Sequence, residues 1–107
     1  LILAGCVSAP SMSEWSAEKA GPLPDDAHLL ALVNAHIAAT FKDPYSVRDL
    51  SLGDVKPVVV RLAMREGTFI GYKVFYSCNA KNSYGAYIGI KTQSFYVQNG
   101  QDFGDVR

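Results

Sequence analysis

Three patterns in the sequence predict an α+β fold: one N-terminal amphipathic helix packed on a four- to five-stranded antiparallel meander sheet. Apolar residues recur at three-and-four spacing between Leu29 and Phe41, the period changes to two beyond Pro44, and turn-forming residues divide the alternating stretches. A helix stripe and one sheet face of this kind bury each other, and the second face of an antiparallel sheet is left to water.

The helix is expected to begin after Gly21-Pro22-Leu23-Pro24, where Asp25 or Asp26 can accept the free N–H groups of its first turn. Leu29, Leu32, Val33, His36, Ile37, Thr40 and Phe41 form its apolar face, and Asp43-Pro44 ends it, because a residue before proline is pushed out of helical geometry. Val47 to Leu52 reads as a short strand. Val58 to Met64 reads as a stronger one, with Val58, Val60, Leu62 and Met64 on one side and Arg61 and Arg65 on the other. Arg65-Glu66-Gly67-Thr68 supplies a hairpin turn. Phe69 to Cys78 then alternates with Ile70, Tyr72, Val74, Tyr76 and Cys78 facing together. A polar loop, Asn79 to Gly85, leads to strands at Ala86 to Lys91 and Ser94 to Gln98, closed by Asn99-Gly100.

Composition bounds the function. The 107 residues, with 49% hydrophobic residues and ten basic residues against ten acidic ones, make one small folding unit. It is assigned to residues 25–107. Zero net charge supplies no field for a phosphate backbone, so nucleic acid is not an expected partner. No phosphate-binding glycine loop or paired-carboxylate motif appears, and no catalytic residue, cofactor or metal site is expected. His28 and His36 stand two helical turns apart, about 12 Å along the axis, too far to share a metal without a third element. His36 is expected as a satisfied core or boundary residue. Cys78 falls on an apolar strand face and is expected as a buried, inert thiol.

Residues 1–5, Leu-Ile-Leu-Ala-Gly, are apolar, end in small residues and stop at Cys6. Leu3-Ala4-Gly5-Cys6 resembles the lipobox of bacterial lipoproteins. The resemblance implies cleavage before Cys6, lipidation of its sulfur, and a membrane held through that lipid rather than through a spanning helix. Residues 1–5 are then the tail of a truncated signal peptide, and residues 6–24 a lipidated cysteine with a flexible tether of about 18 residues, rich in Ser, Ala and Pro. Val7, where an Asp in that family retains the protein at the inner membrane, implies the outer membrane, facing the periplasm.

Cys78 to Gly89 joins two Asn, a Lys, two Tyr and two Gly between strong strands. With Lys42-Asp43-Pro44-Tyr45-Ser46 ahead of it, Asn79-Ala80-Lys81-Asn82-Ser83-Tyr84-Gly85-Ala86-Tyr87 resembles a KDPxS…NAKNSYGxY pattern of small bacterial envelope proteins, over about residues 26 to 98. That family carries no established activity, so the resemblance implies fold and location. Two readings of Asn79, Lys81, Asn82, Tyr84, Gly85 and Tyr87 stay open. In one, the Asn side chains bond turn backbone, the glycines take special backbone conformations and the tyrosines pack on the sheet. In the other, Lys81, Asn82 and Tyr84 project as a binding edge for a glycan or protein partner. The expected function is a non-catalytic structural or interaction lipoprotein. The alternative is a periplasmic inhibitor of a cell-wall-degrading enzyme such as lysozyme, acting through the 79–87 loop.

Overall fold

Asp25 caps the long helix: its carboxylate accepts the His28 N–H at 2.8 Å, satisfying one of the free donors of the first turn. The computed structural model, which describes residues 12–62 and 66–106, places this helix, α2, at Asp26–Thr40. Leu29, Val33 and Ile37, each one turn from the next, are its buried residues, and Leu32, His36 and Phe41 flank them half-buried. Thr40, expected on the apolar face, is exposed instead. Its hydroxyl donates back to the His36 carbonyl at 2.7 Å.

Four antiparallel strands follow in sequence order: β1 Arg48–Arg61, β2 Thr68–Lys81, β3 Tyr87–Gln98 and β4 Gln101–Gly104. The fold is α+β and the sheet is a meander, but its strands are longer and differently divided than expected. The two strands expected at 47–52 and 58–64 are one. Register shifts between Arg48 and Ser51 and between Leu52 and Val55 break the two-residue period without ending the pairing. Pro57, which has no N–H to give, is tolerated because β1 lies at the sheet edge. The strands expected at 86–91 and 94–98 are also one, paired with β2 from Tyr87 to Val97. Asn99-Gly100 does not close the sheet but turns it into β4. Both residues have positive φ, 52° and 72°, as a tight two-residue hairpin requires. Of the turn expected at 65–68, Arg65 lies outside the described residues, as does Met64; the Leu62 N–H donates to the Gly67 carbonyl at 3.2 Å.

Ile70, Tyr72, Val74, Tyr76 and Cys78 are all buried on the face toward the helices. With Phe95 and Val97 of β3, Val74, Tyr76 and Cys78 meet Leu29, Val33 and Ile37 in the main core. His36 is held at its edge, stacked on Phe95 at 4.5 Å between centroids, with Nδ1 2.7 Å from Asp102 Oδ2, which ties β4 to α2.

The helical part is not a single helix. A 3-10 turn at Met12–Glu14 and a short helix, α1, at Ala17–Ala20 precede α2, within the segment expected as tether. Ala20 is 0% exposed and packs with Ile70 and Tyr72. The Trp15 indole N–H donates to the Gly71 carbonyl at 2.8 Å, and its ring meets Tyr72 edge-on at 5.7 Å. The Asn99 N–H donates to the Ala20 carbonyl at 2.8 Å. This crossing needs glycine next in the chain. Gly21 has φ +79°, and a Cβ there would stand 2.7 Å from Asn99 Cα. The folded body therefore includes residues from Met12 onward rather than from Asp25. Residues 1–11, among them Cys6 and the lipobox, lie outside the described residues.

Candidate functional site at the hairpin end of the sheet

The two phrases singled out in the sequence meet at one end of the molecule. Pro44–Ser46 forms a 3-10 turn after α2, and Ser46, the buried polar residue of that turn, bonds to the β2–β3 hairpin twice. Its Oγ accepts the Lys81 N–H at 3.3 Å, and its carbonyl accepts the Tyr87 hydroxyl at 2.8 Å. The Ser46 Oγ donates in turn to the Asp43 carbonyl at 2.8 Å. The Arg48 guanidinium lies 3.6 Å from the centre of the Tyr87 ring, and Lys81 Nζ is 5.6 Å from it, so two cations attend one aromatic ring.

The hairpin turn is fixed by Asn82. Its Oδ1 accepts the N–H groups of Tyr84 at 2.9 Å and Ala86 at 3.1 Å. Its backbone N–H donates to the Ala86 carbonyl at 2.8 Å, and its carbonyl accepts the Gly85 N–H at 3.0 Å. An Asn side chain bonded to the backbone two residues on substitutes for a turn bond. Gly85 has φ +83° with open space where a Cβ would stand, so backbone conformation rather than crowding calls for glycine there. Asn79 Oδ1 accepts the Gly89 N–H at 3.1 Å, beside the register shift between Asn79 and Lys81.

The six residues expected from the sequence therefore divide. Asn79, Asn82, Gly85 and the hydroxyl of Tyr87 are engaged in building the turn. Lys81 and Tyr84 are exposed, Tyr84 at 93%. The side-chain oxygen of Asn82, a residue that one of the two readings has projecting toward a partner, is occupied by its own loop. Sequence reasoning missed Tyr45 and Arg48. Tyr45 is 98% exposed and stands next to Ser46, at the same end as Tyr84. The KDPYS phrase marked that position, whereas a lone Arg after a turn carries no signal. Beside Tyr45, the C-terminal half of α2, Pro44 and Leu50 line an open groove of about 320 Å³.

Cys78 is buried, and burial raises its thiol pKa, which disfavours the thiolate at neutral pH. His28 and His36 point to separate residues of the β3–β4 hairpin, Nε2 of His28 lying 3.3 Å from the Gly100 carbonyl. No helix among the described residues is long and apolar enough to cross a membrane. The chain matches no protein-family model, and comparison with curated proteins and with solved structures found no similar protein.

Proposed function

We propose that the chain is a non-catalytic interaction module of the bacterial envelope, anchored through lipid on Cys6 and engaging a protein partner with its hairpin end. The observation that carries the contact surface is the pair Tyr45 and Tyr84, 98% and 93% exposed on turns that hydrogen bonds hold in place. Tyrosine offers a large amphipathic contact at low entropic cost, and turns fixed before binding lower that cost further. The address rests on the sequence Leu3-Ala4-Gly5-Cys6, with Val7 favouring the periplasmic leaflet of the outer membrane. The narrower reading, an inhibitor inserting the 79–87 loop into a cell-wall-degrading enzyme, draws on Tyr84 standing in that turn.

Palmitate labelling tests the anchor: label is expected on the wild type and absent from Cys6→Ala, and equal labelling overturns the address. Photo-cross-linkers placed at positions 45 and 84, against 19 and 27 as exposed controls, test the contact surface in cells. A discrete adduct from 45 and 84 only is expected, with Tyr84→Ala removing the adduct formed at 45. Identical patterns at all four positions overturn the contact surface. Inhibition of lysozyme that Tyr84→Ala abolishes selects the narrower reading; no inhibition removes it and leaves the contact surface to the cross-linking result.

A further inference from the structure

The sheet face turned away from the helices carries an arrangement that the free protein does not favour. Lys56 and Lys73 are cross-strand partners in β1 and β2. Val74 and Tyr76 point into the core, so Lys73 and Phe75 point the other way, and partners directly opposite share a face. Both ammonium groups lie over one ring: Lys56 Nζ is 5.7 Å and Lys73 Nζ 5.2 Å from the centre of Phe75, and Lys73 is also 5.5 Å from Tyr96. Like charges directly opposite in a sheet are destabilising. Asp54, the acidic residue closest in sequence to Lys56, falls in the register shift between Leu52 and Val55. The ladder around the ring is hydroxylic, with Ser94 opposite Phe75 and Thr92 opposite Ser77. Lys56 and Lys73 thus bring two positive charges together beside one ring on this face.

We infer that this sheet face, beyond the buried Phe69 and Tyr96, binds an anionic polysaccharide, its acidic groups set between Lys56 and Lys73 and a sugar ring lying against the half-buried Phe75. An anion between the two ammonium groups turns their repulsion into two attractions, and the sugar hydroxyls find Ser77, Thr92 and Ser94 along the same strands. A free inorganic anion uses only the lysines. A polysaccharide uses the ring and the hydroxyl ladder as well. This site is separate from the hairpin end and does not depend on the reading of Tyr45 and Tyr84.

The test titrates the full chain with dextran sulfate and polygalacturonate, and with neutral dextran, at physiological salt. Saturable binding to the anionic chains alone is expected. The double variant Lys56→Gln with Lys73→Gln should weaken it about tenfold, as two exposed contacts of roughly threefold each would. The double variant Lys19→Gln with Lys91→Gln removes the same charge elsewhere on the exposed surface and should leave affinity within about twofold. Lys56→Glu should abolish binding while raising the thermal midpoint of the free protein, because it turns the repelling pair into an attracting one. Equal loss in both double variants overturns the proposal, since the attraction is then charge without a site. Absence of saturable binding, or a lower midpoint for Lys56→Glu, overturns it too. Lysine-dependent binding to phosphatidylglycerol vesicles without binding to either polysaccharide assigns the face to membrane and likewise overturns it.

Discussion

The phenol of Tyr76 is 1% exposed inside the core, and among the described residues its oxygen finds no hydrogen-bond partner. A buried hydroxyl without a partner forfeits its water bonds and gains nothing in return. Burial chiefly, then the neighbouring Cys78 and Asp102, push the phenol pKa up to about 12 from its ordinary 10.0. Tyr76→Phe keeps the ring against His36 and Phe95 and deletes only the stranded oxygen. It should stabilise the fold by about 1 kcal/mol in urea denaturation at neutral pH. The pH dependence separates this cause from a general packing gain. Below pH 10 the phenol keeps its proton in both folded and unfolded chains. Between pH 10 and about 12 only the unfolded chain releases it, so this group withdraws stability as pH rises, by about 1.4 kcal/mol per unit. The Phe variant should lack that slope, and parallel curves for the two proteins would show that Tyr76 keeps no shifted pKa in the fold.

Helices and strands were legible in the sequence where their period ran unbroken. Leu29, Val33 and Ile37 announced α2, and the alternation from Ile70 to Cys78 announced the inner face of β2. β1 read as two strands because its register shifts put extra residues between paired ones, which shifts the apolar pattern while backbone pairing continues. The Asn residues of the hairpin were legible as turn formers because their chemistry is local. Tyr45 and Arg48 were not, because their importance comes from the seating of Ser46 on the hairpin, a contact between distant parts of the chain. α1 was invisible for a different reason. Four residues make barely one turn, without a period, and their Ser- and Ala-rich surroundings match a linker in composition. This element therefore merits a direct test. Trp15 is the only tryptophan of the chain, so its emission reports on this segment alone. Emission should be blue-shifted in the native protein and should move to the red in the same transition that abolishes far-ultraviolet circular dichroism. Trp15→Ala, which removes both the Gly71 hydrogen bond and the cover over Tyr72, should cost about 3 kcal/mol. An emission change well before the main transition would make the segment an appendage rather than part of the folded body.

For the whole molecule, the position of that segment changes what an anchor at Cys6 implies. Six peptide steps separate Cys6 from Met12, so a lipid on Cys6 holds the folded body within about 20 Å even when the intervening chain is fully extended. A tether of 18 residues would have allowed several nanometres. Trp15 bonds at Gly71, toward one end of β2, whereas the hairpin turn follows Lys81 at the other end. At about 3.3 Å per residue the strand between them spans over 30 Å. Anchoring at Cys6 would thus present Trp15 to the membrane side and Tyr45 and Tyr84 to the far side, toward whatever faces the bilayer. Lipidated protein in vesicles carrying nitroxide headgroups should show strong quenching of Trp15. A Tyr84→Trp, Trp15→Phe variant in the same vesicles should show little. Inserting about 20 Gly and Ser residues between Cys6 and Met12 should remove the contrast, because a flexible linker of that length lets the body rotate and retreat from the bilayer. Equal quenching at both positions without the insert would mean that the body lies along the membrane. The hairpin end would then be covered by lipid and withdrawn from any partner across the periplasm.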